Sequence, residues 1–196
     1  WRPLVLLNVA YKIVSACIAE RIKSVLPKII HENQKGFMAG RYIGENIRLL
    51  YDVLFYTEKE NIPGMLLLID FEKAFDSVSW SFIQEALAFF NFDKDITRWV
   101  ETFYKNANTC VTVNGHYSEW FSIGRGVRQG DPLSPYLYLI VAEILSLMIR
   151  ENVNIKGIRT NRDKDVLLSQ FADDTSVCLD GSEASFRETI RVLETF

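Results

Sequence analysis

Two adjacent aspartates, Asp173 and Asp174, stand between short apolar runs: Val166-Leu167-Leu168 before them and Ser176-Val177-Cys178-Leu179 after. Such runs around a tight turn predict two strands with the acidic pair at or beside the turn. The arrangement is costly. Neighbouring like charges repel, and a two-residue hairpin turn favours Asn-Gly or Asp-Gly. A solvated turn is the plain explanation of an Asp-Asp pair. A divalent cation would remove the repulsion, and it would call for another carboxylate at the end of a neighbouring strand.

Asp70 is the candidate. It closes the continuous apolar run Met65-Leu66-Leu67-Leu68-Ile69, which follows Pro63-Gly64. A short apolar run bounded by turn residues predicts a buried strand. The next helix is expected from Ser79 to Phe90, with Asp76 and Ser77 as its capping candidates, so Asp70 has no capping work. A third segment lies between these acidic sites: Gly124-Arg125-Gly126-Val127-Arg128-Gln129-Gly130-Asp131-Pro132-Leu133-Ser134-Pro135. Its glycines allow close approach of backbone to a ligand. Arg128 and Gln129 offer donors to a phosphate or a base edge. An apolar helix from Leu133 to Ile149 is expected to follow, with prolines in its first turn.

The rest of the chain reads as a folded enzyme core. At 196 residues it makes one large or two small domains. No apolar run is long enough to span a membrane, and no membrane partner is expected. The chain starts without Met and stops inside a helical stretch, as expected of a segment of a longer protein. Cys17, Cys110 and Cys178 are isolated, and so are His31 and His116. Soft-metal ligation is therefore unsupported, and an all-carboxylate site points to Mg²⁺ or Mn²⁺. The net charge of −3 hides a split. Residues 1–48 carry eight Lys/Arg against three Asp/Glu, whereas residues 166–196 carry two against six. A basic end for phosphates and an acidic end for metal would divide this way, and so would a chance fluctuation in surface charge.

Leu4 to Leu26 reads as a strand or turn leading into a helix, with Tyr11, Ile13, Val14, Ile18, Ile22 and Val25 near helical spacing. A second helix is expected from Glu45 to Lys59, with Ile47, Leu50, Leu54 and Phe55 on one face. Pro27 is expected in the loop between them. Another helix is expected from Lys94 to Lys105, a hairpin around Asn114-Gly115, and a final helix from Ser182. The order from Asp70 onward is strand, helix, hairpin, helix, acidic hairpin. It predicts an α+β fold with an antiparallel sheet backed by helices, close to a ferredoxin-like split βαβ arrangement. Three carboxylates on one surface of it could hold two ions about 4 Å apart for phosphoryl or nucleotidyl transfer.

The set Leu68-Ile69-Asp70-Phe71-Glu72-Lys73-Ala74-Phe75-Asp76, Arg128-Gln129-Gly130-Asp131-Pro132-Leu133-Ser134-Pro135 and Phe171-Ala172-Asp173-Asp174 resembles reverse transcriptases. With Arg2-Pro3-Leu4-Val5-Leu6-Leu7-Asn8 and Gln34-Lys35-Gly36-Phe37 it is similar to those of LINE-class (non-LTR) retrotransposons. The resemblance covers the whole chain. It implies a right-hand polymerase with fingers in residues 1–62, a palm in residues 63–196 and no thumb within the chain. It implies Asp70 and Asp173 as ligands of two Mg²⁺ (or Mn²⁺) ions, Asp174 as a less central third carboxylate, and the Phe71 carbonyl as a further ligand. Phe75 would exclude a 2′-hydroxyl, and Arg128, Gln129, Gly130 and Arg2 would meet the nucleotide. Gln34, Gly36, Phe37, Phe171 and Ala172 would lie by template or primer. The implied partners are an RNA template, a DNA primer, dNTPs and the remaining domains of a polyprotein, acting in cytoplasm and nucleus. Two other functions use the same palm: RNA-dependent RNA polymerisation, and RNA binding or splicing help without catalysis. Ala10 stands where related elements often carry Asp, and the resemblance implies no catalytic role there.

Overall fold

The computed structural model describes residues 5–160 and 165–196. In chain order they form α1 (Val9–Ile29), α2 (Ile43–Glu60), β1 (Met65–Ile69), α3 (Ala74–Ser77), α4 (Trp80–Phe89) and α5 (Lys94–Tyr104). The short strands β2 (Asn108–Thr109), β3 (Thr112–Val113), β4 (His116–Tyr117) and β5 (Phe121–Ser122) follow. Then come α6 (Ser134–Arg150), β6 (Ile158–Arg159), β7 (Asp165–Val166), β8 (Leu168–Phe171), β9 (Asp174–Leu179) and α7 (Glu183–Thr195). The fold is α+β. Two compact units are distinct: one contains residues up to Val25 and Lys73–Val141, the other Leu26–Glu72 and Ala142–Phe196.

The second unit holds a three-stranded antiparallel sheet ordered β1-β9-β8. Met65 pairs with Leu179 and Ile69 with Thr175, while Leu168 pairs with Val177 and Phe171 with Asp174. Side chains alternate across a strand, so Met65, Leu67, Ile69 and Phe71 share one face. That face packs with Val177, Leu179 and Leu168 against Leu145 and Ile149 of α6 and Val192 of α7. Each fully buried aliphatic side chain here contributes about 2 kcal/mol. The other face carries Leu66 and Cys178, which pack with Val53 of α2 and with Ile158. Ser182 caps α7 by accepting the Ser185 N–H, as its place before the helix predicts.

The first unit is mainly helical, with α4 against α5. Its Asn114-Gly115 hairpin is present, with positive φ at both residues (51° and 79°), the mark of a type I′ turn. β2 and β5 extend it as a second pair. These strands pair among themselves and do not enter the three-stranded sheet.

Five local expectations need correction. β1 is not a buried strand: it is the edge of its sheet, Leu68 is 73% exposed and the other four residues are half-buried. The first helix runs through Pro27 to Ile29 rather than ending before it; a proline in a last turn removes one hydrogen bond without blocking the turn. In α1 the buried positions are Ser15, Ile18, Ala19, Ile22 and Leu26, so Ile18 and Ile22 face inward as expected while Ile13, Val14 and Val25 are exposed; Ser15 turns inward to the buried Asp131 carboxylate. In α2 the buried positions are Asn46 and Val53; of the expected apolar face only Leu50 joins the core, and Ile47, Leu54 and Phe55 are exposed. Asp76 and Ser77 lie inside α3, and Ser79 stands at the N-cap of α4.

Burial pushes the Cys178 thiol up to about 11, whereas Cys17 is exposed. The native protein at pH 8 should therefore alkylate at Cys17 and not at Cys178, read by peptide mass spectrometry. Equal labelling of the two would contradict the β1–β9 packing.

Candidate active site

The sheet explains the position of the acidic pair. Phe171 pairs with Asp174, so Ala172 and Asp173 are the two residues of the hairpin turn. Asp174 opens β9. The β1–β9 register ends at Ile69 opposite Thr175, and one further step sets Asp70 opposite Asp174. Directly opposed residues of an antiparallel pair point to the same face. That face is the one opposite the Val177–Leu179 core, and both Asp70 and Asp174 are exposed on it. Asp173 is half-buried at the tip. Phe71 turns to the core side and meets Phe196 edge-on at 6.4 Å.

The turn is held from the side. Ala172 adopts φ 55°, a left-handed conformation unusual for a residue with a Cβ. The Gln34 amide offsets this cost. Its Nε2 donates to the Ala172 carbonyl at 3.0 Å, and its Oε1 accepts the Ala172 N–H at 2.7 Å and the Gly36 N–H at 2.8 Å. Gln34 is 2% exposed. Gly36 packs so closely that a Cβ there would stand 2.3 Å from the Ala172 nitrogen. The same loop closes the free edge of β8: the Lys35 N–H donates to Gln170 O, and the Gln170 N–H donates to Asn33 O. Asn46 Nδ2 adds a donor to Gln170 O at 2.8 Å. Arg41 ties the loop down by donating to the carbonyls of Ile30, His31 and Gln34. Buried Glu143 accepts from the His31 N–H and from Arg150. Burial raises its carboxyl above the usual range, against the pull of those donors.

The glycine-rich segment belongs to the other unit and is bound there to the turn around α3. The Val127 N–H donates to Phe75 O and the Gly126 N–H to Val78 O, each at 2.7 Å. Trp80 Nε1 donates to Gly126 O at 2.8 Å. Gly126 has φ +90°, and a Cβ there would lie 2.8 Å from Asp76 O. Gln129 Nε2 reaches the Asp76 carboxylate at 3.3 Å. The Phe75 ring stacks on Tyr138 with centroids 4.5 Å apart, which fixes its orientation. Gly130 is exposed at φ +83°.

Arg128 lies over the rings of Tyr11 and Tyr104, at 4.8 and 5.5 Å from their centroids. Beside it Asp131, 2% exposed, accepts from Tyr11 Oη, Ser15 Oγ, Ser134 Oγ and the Leu133 N–H. Burial, and then the Asp131 charge, pushes the Tyr11 hydroxyl up to about 12. No local pattern marks this network in the sequence, because Tyr11 and Ser15 lie more than a hundred residues from Asp131 in the chain.

Of the expected site residues, Asp70, Phe71, Phe171, Ala172, Asp173, Asp174, Gln34, Gly36 and Phe37 fall in the sheet unit, and Phe75, Arg128, Gln129 and Gly130 in the helical one. Arg2 lies outside the described residues. Gln34 and Gly36 are buried against the hairpin, while Phe37 is half exposed with φ 54°. Among the described residues no three His, Cys, Asp or Glu side chains are grouped closely enough to hold a metal ion together. The donors at the sheet end are nevertheless all oxygen and all acidic, which suits a hard divalent ion that keeps some of its water.

A family model described as reverse transcriptase (RNA-dependent DNA polymerase) matches residues 1–196. The chain belongs to the reverse transcriptase family. Its relatives place it in the LINE-class, non-LTR branch. It is 35% identical over 174 residues to the transposon TX1 uncharacterized 149 kDa protein of Xenopus laevis, covering 89% of this chain and 13% of that protein. It is 27% identical over 199 residues to a Pol polyprotein from a type-1 R2 retrotransposable element of Popillia japonica, covering all of this chain and 27% of that one. The chain thus spans well under a third of the length of these relatives. Among solved structures, apo telomerase from Candida tropicalis, truncated from its C-terminal domain, matches with a TM-score of 0.61 at 14% identity. That match covers 94% of this chain and 37% of the telomerase, and it supports the right-hand polymerase fold for this reverse transcriptase domain. Reverse transcriptases as a family use divalent metal ions and act on a nucleic-acid template and primer.

Two stability predictions follow from the helical unit. Gly126→Ala should lose about 1–3 kcal/mol in urea unfolding, from strain at positive φ and the close approach of Asp76 O. Asp131→Ala should lose about 2–3 kcal/mol, since it orphans several buried donors to a charged acceptor. A change below about 0.5 kcal/mol in either variant would contradict the packing described.

Proposed function

We propose that this reverse transcriptase domain adds dNTPs to the 3′ end of a DNA primer on an RNA template, as part of a larger retrotransposon polyprotein. The supporting observation is the hairpin register that puts Asp70 and Asp174 on one face with Asp173 at the adjoining turn. Asp70 and Asp173 would hold Mg²⁺ or Mn²⁺, with Asp174 and the Phe71 carbonyl as further ligands, and ions bound there would supply activation of an attacking hydroxyl and charge stabilisation at the leaving oxygen. The chain's own contribution is to position carboxylates and nucleotide. Gln129, Gly130 and Arg128 line the nucleotide's surroundings, with Arg128 acting through its charge from its place over the Tyr11 and Tyr104 rings. Phe75, fixed against Tyr138, leaves no partner for a ribose 2′-hydroxyl. Phe37 and Phe171 lie toward template or primer, and Arg2 toward the triphosphate.

In a primer-extension assay on an RNA template, the protein should incorporate dNTPs in preference to rNTPs. Asp173→Ala should lower the rate by about 100-fold or more, and Phe75→Ala should raise relative rNTP use. Preference for rNTPs would favour an RNA-dependent RNA polymerase. Extension unaffected by Asp173→Ala would remove the metal assignment and favour a non-catalytic RNA-binding role.

A further inference from the structure

We infer that Gln34 is a positioning residue for Asp173, a role that rests on the metal-binding reading of that aspartate. The inference starts from the turn. A two-residue turn has few constraints of its own, and Ala172 takes a conformation that costs roughly 1 kcal/mol. The Ala172 carbonyl belongs to the peptide unit that carries the Asp173 nitrogen. The bond from Gln34 Nε2 to that oxygen therefore fixes the peptide plane from which Asp173 extends. The bond from the Ala172 N–H to Gln34 Oε1 fixes the preceding plane. One primary amide grips both groups of one residue, as a neighbouring strand would.

Few side chains can do this. Asn is one methylene shorter. Glu keeps the acceptor for the Ala172 and Gly36 N–H groups but sets a second oxygen against the Ala172 carbonyl. Met matches the length and satisfies neither group, which orphans buried backbone donors and acceptors. The grip is itself fixed, because Gly36 packs on Ala172 without room for a Cβ and Arg41 holds the Gln34 carbonyl at 2.7 Å. Gln34 thus touches no reacting atom and acts through the Ala172–Asp173 turn.

The test compares the protein with its Gln34→Met, Gln34→Glu and Asp173→Ala variants. Thermal unfolding by circular dichroism reports folding. Mn²⁺ affinity comes from electron paramagnetic resonance of the free ion, and kcat and dNTP KM from primer extension. Gln34→Met should weaken Mn²⁺ binding and lower kcat by about 10–100-fold, as loss of a ligand-orienting contact does, with dNTP KM within about twofold of the parent. Gln34→Glu should show the same defect at pH 8 and recover part of its Mn²⁺ affinity toward pH 6. Protonation restores a donor to the Ala172 carbonyl, a pH response that a general loss of packing would not produce. If Gln34→Met unfolds, the pH response of Gln34→Glu decides alone. A folded Gln34→Met, or a Gln34→Glu without pH response, that binds Mn²⁺ as the parent does while Asp173→Ala does not would overturn the positioning role. Asp173→Ala binding Mn²⁺ as tightly as the parent would instead remove the metal reading beneath it.

Discussion

The pairing of β9 with β1 on one side and β8 on the other is the constraint on which the sheet unit depends. A slip of one residue would exchange the two faces of β9, moving Val177 and Leu179 out of the core and the opposite residues into it. The core therefore fixes the register. The register in turn brings Asp70, from a strand a hundred residues earlier, opposite Asp174. Hydrophobic packing thus specifies where the carboxylates stand, although none of them contributes to that packing. The loop from His31 to Gly36 completes the arrangement by covering the edge of β8 and gripping the turn.

The helical unit follows a related principle with different means. There the glycine-rich segment is held by backbone hydrogen bonds to Phe75 and Val78, and by a glycine at a position with no space for a side chain. Arg128 lies over the rings of Tyr11 and Tyr104, and Asp131 is buried among hydroxyl donors. A segment rich in glycine and charge is thereby made rigid enough to present Gln129 and Gly130 in a defined way. Residues that read as ligand-binding in the sequence carry structural contacts as well.

What was legible in the sequence depended on range. The bounds of β1 are legible because an apolar run between Pro63-Gly64 and Asp70 has one plausible form, but its burial is not: an apolar run does not say whether its strand lies inside the sheet or at its edge. The Asn114-Gly115 turn and the Ser182 cap were readable because their chemistry is local. The acidic hairpin was readable from two apolar runs, and the family from ordered motifs along the chain. The faces of α1 and α2 were misjudged because periodicity marks an apolar stripe without saying which part of it meets a partner. Ser15 and Asn46 turn inward for polar reasons, to Asp131 and to Gln170 O, and hydrophobic spacing carries no sign of that. The grip of Gln34 on Ala172 joins residues 138 apart in the chain, and nothing local to either announces it.

The proposed chemistry requires Asp70 and Asp173 to share bound metal across the end of this sheet. Crystals of the protein grown with Mn²⁺, measured for anomalous scattering at the manganese edge, put this to the test. An anomalous peak in contact with carboxylate oxygens of both Asp70 and Asp173 is expected. Manganese bound elsewhere, or at only one of the two, would contradict it.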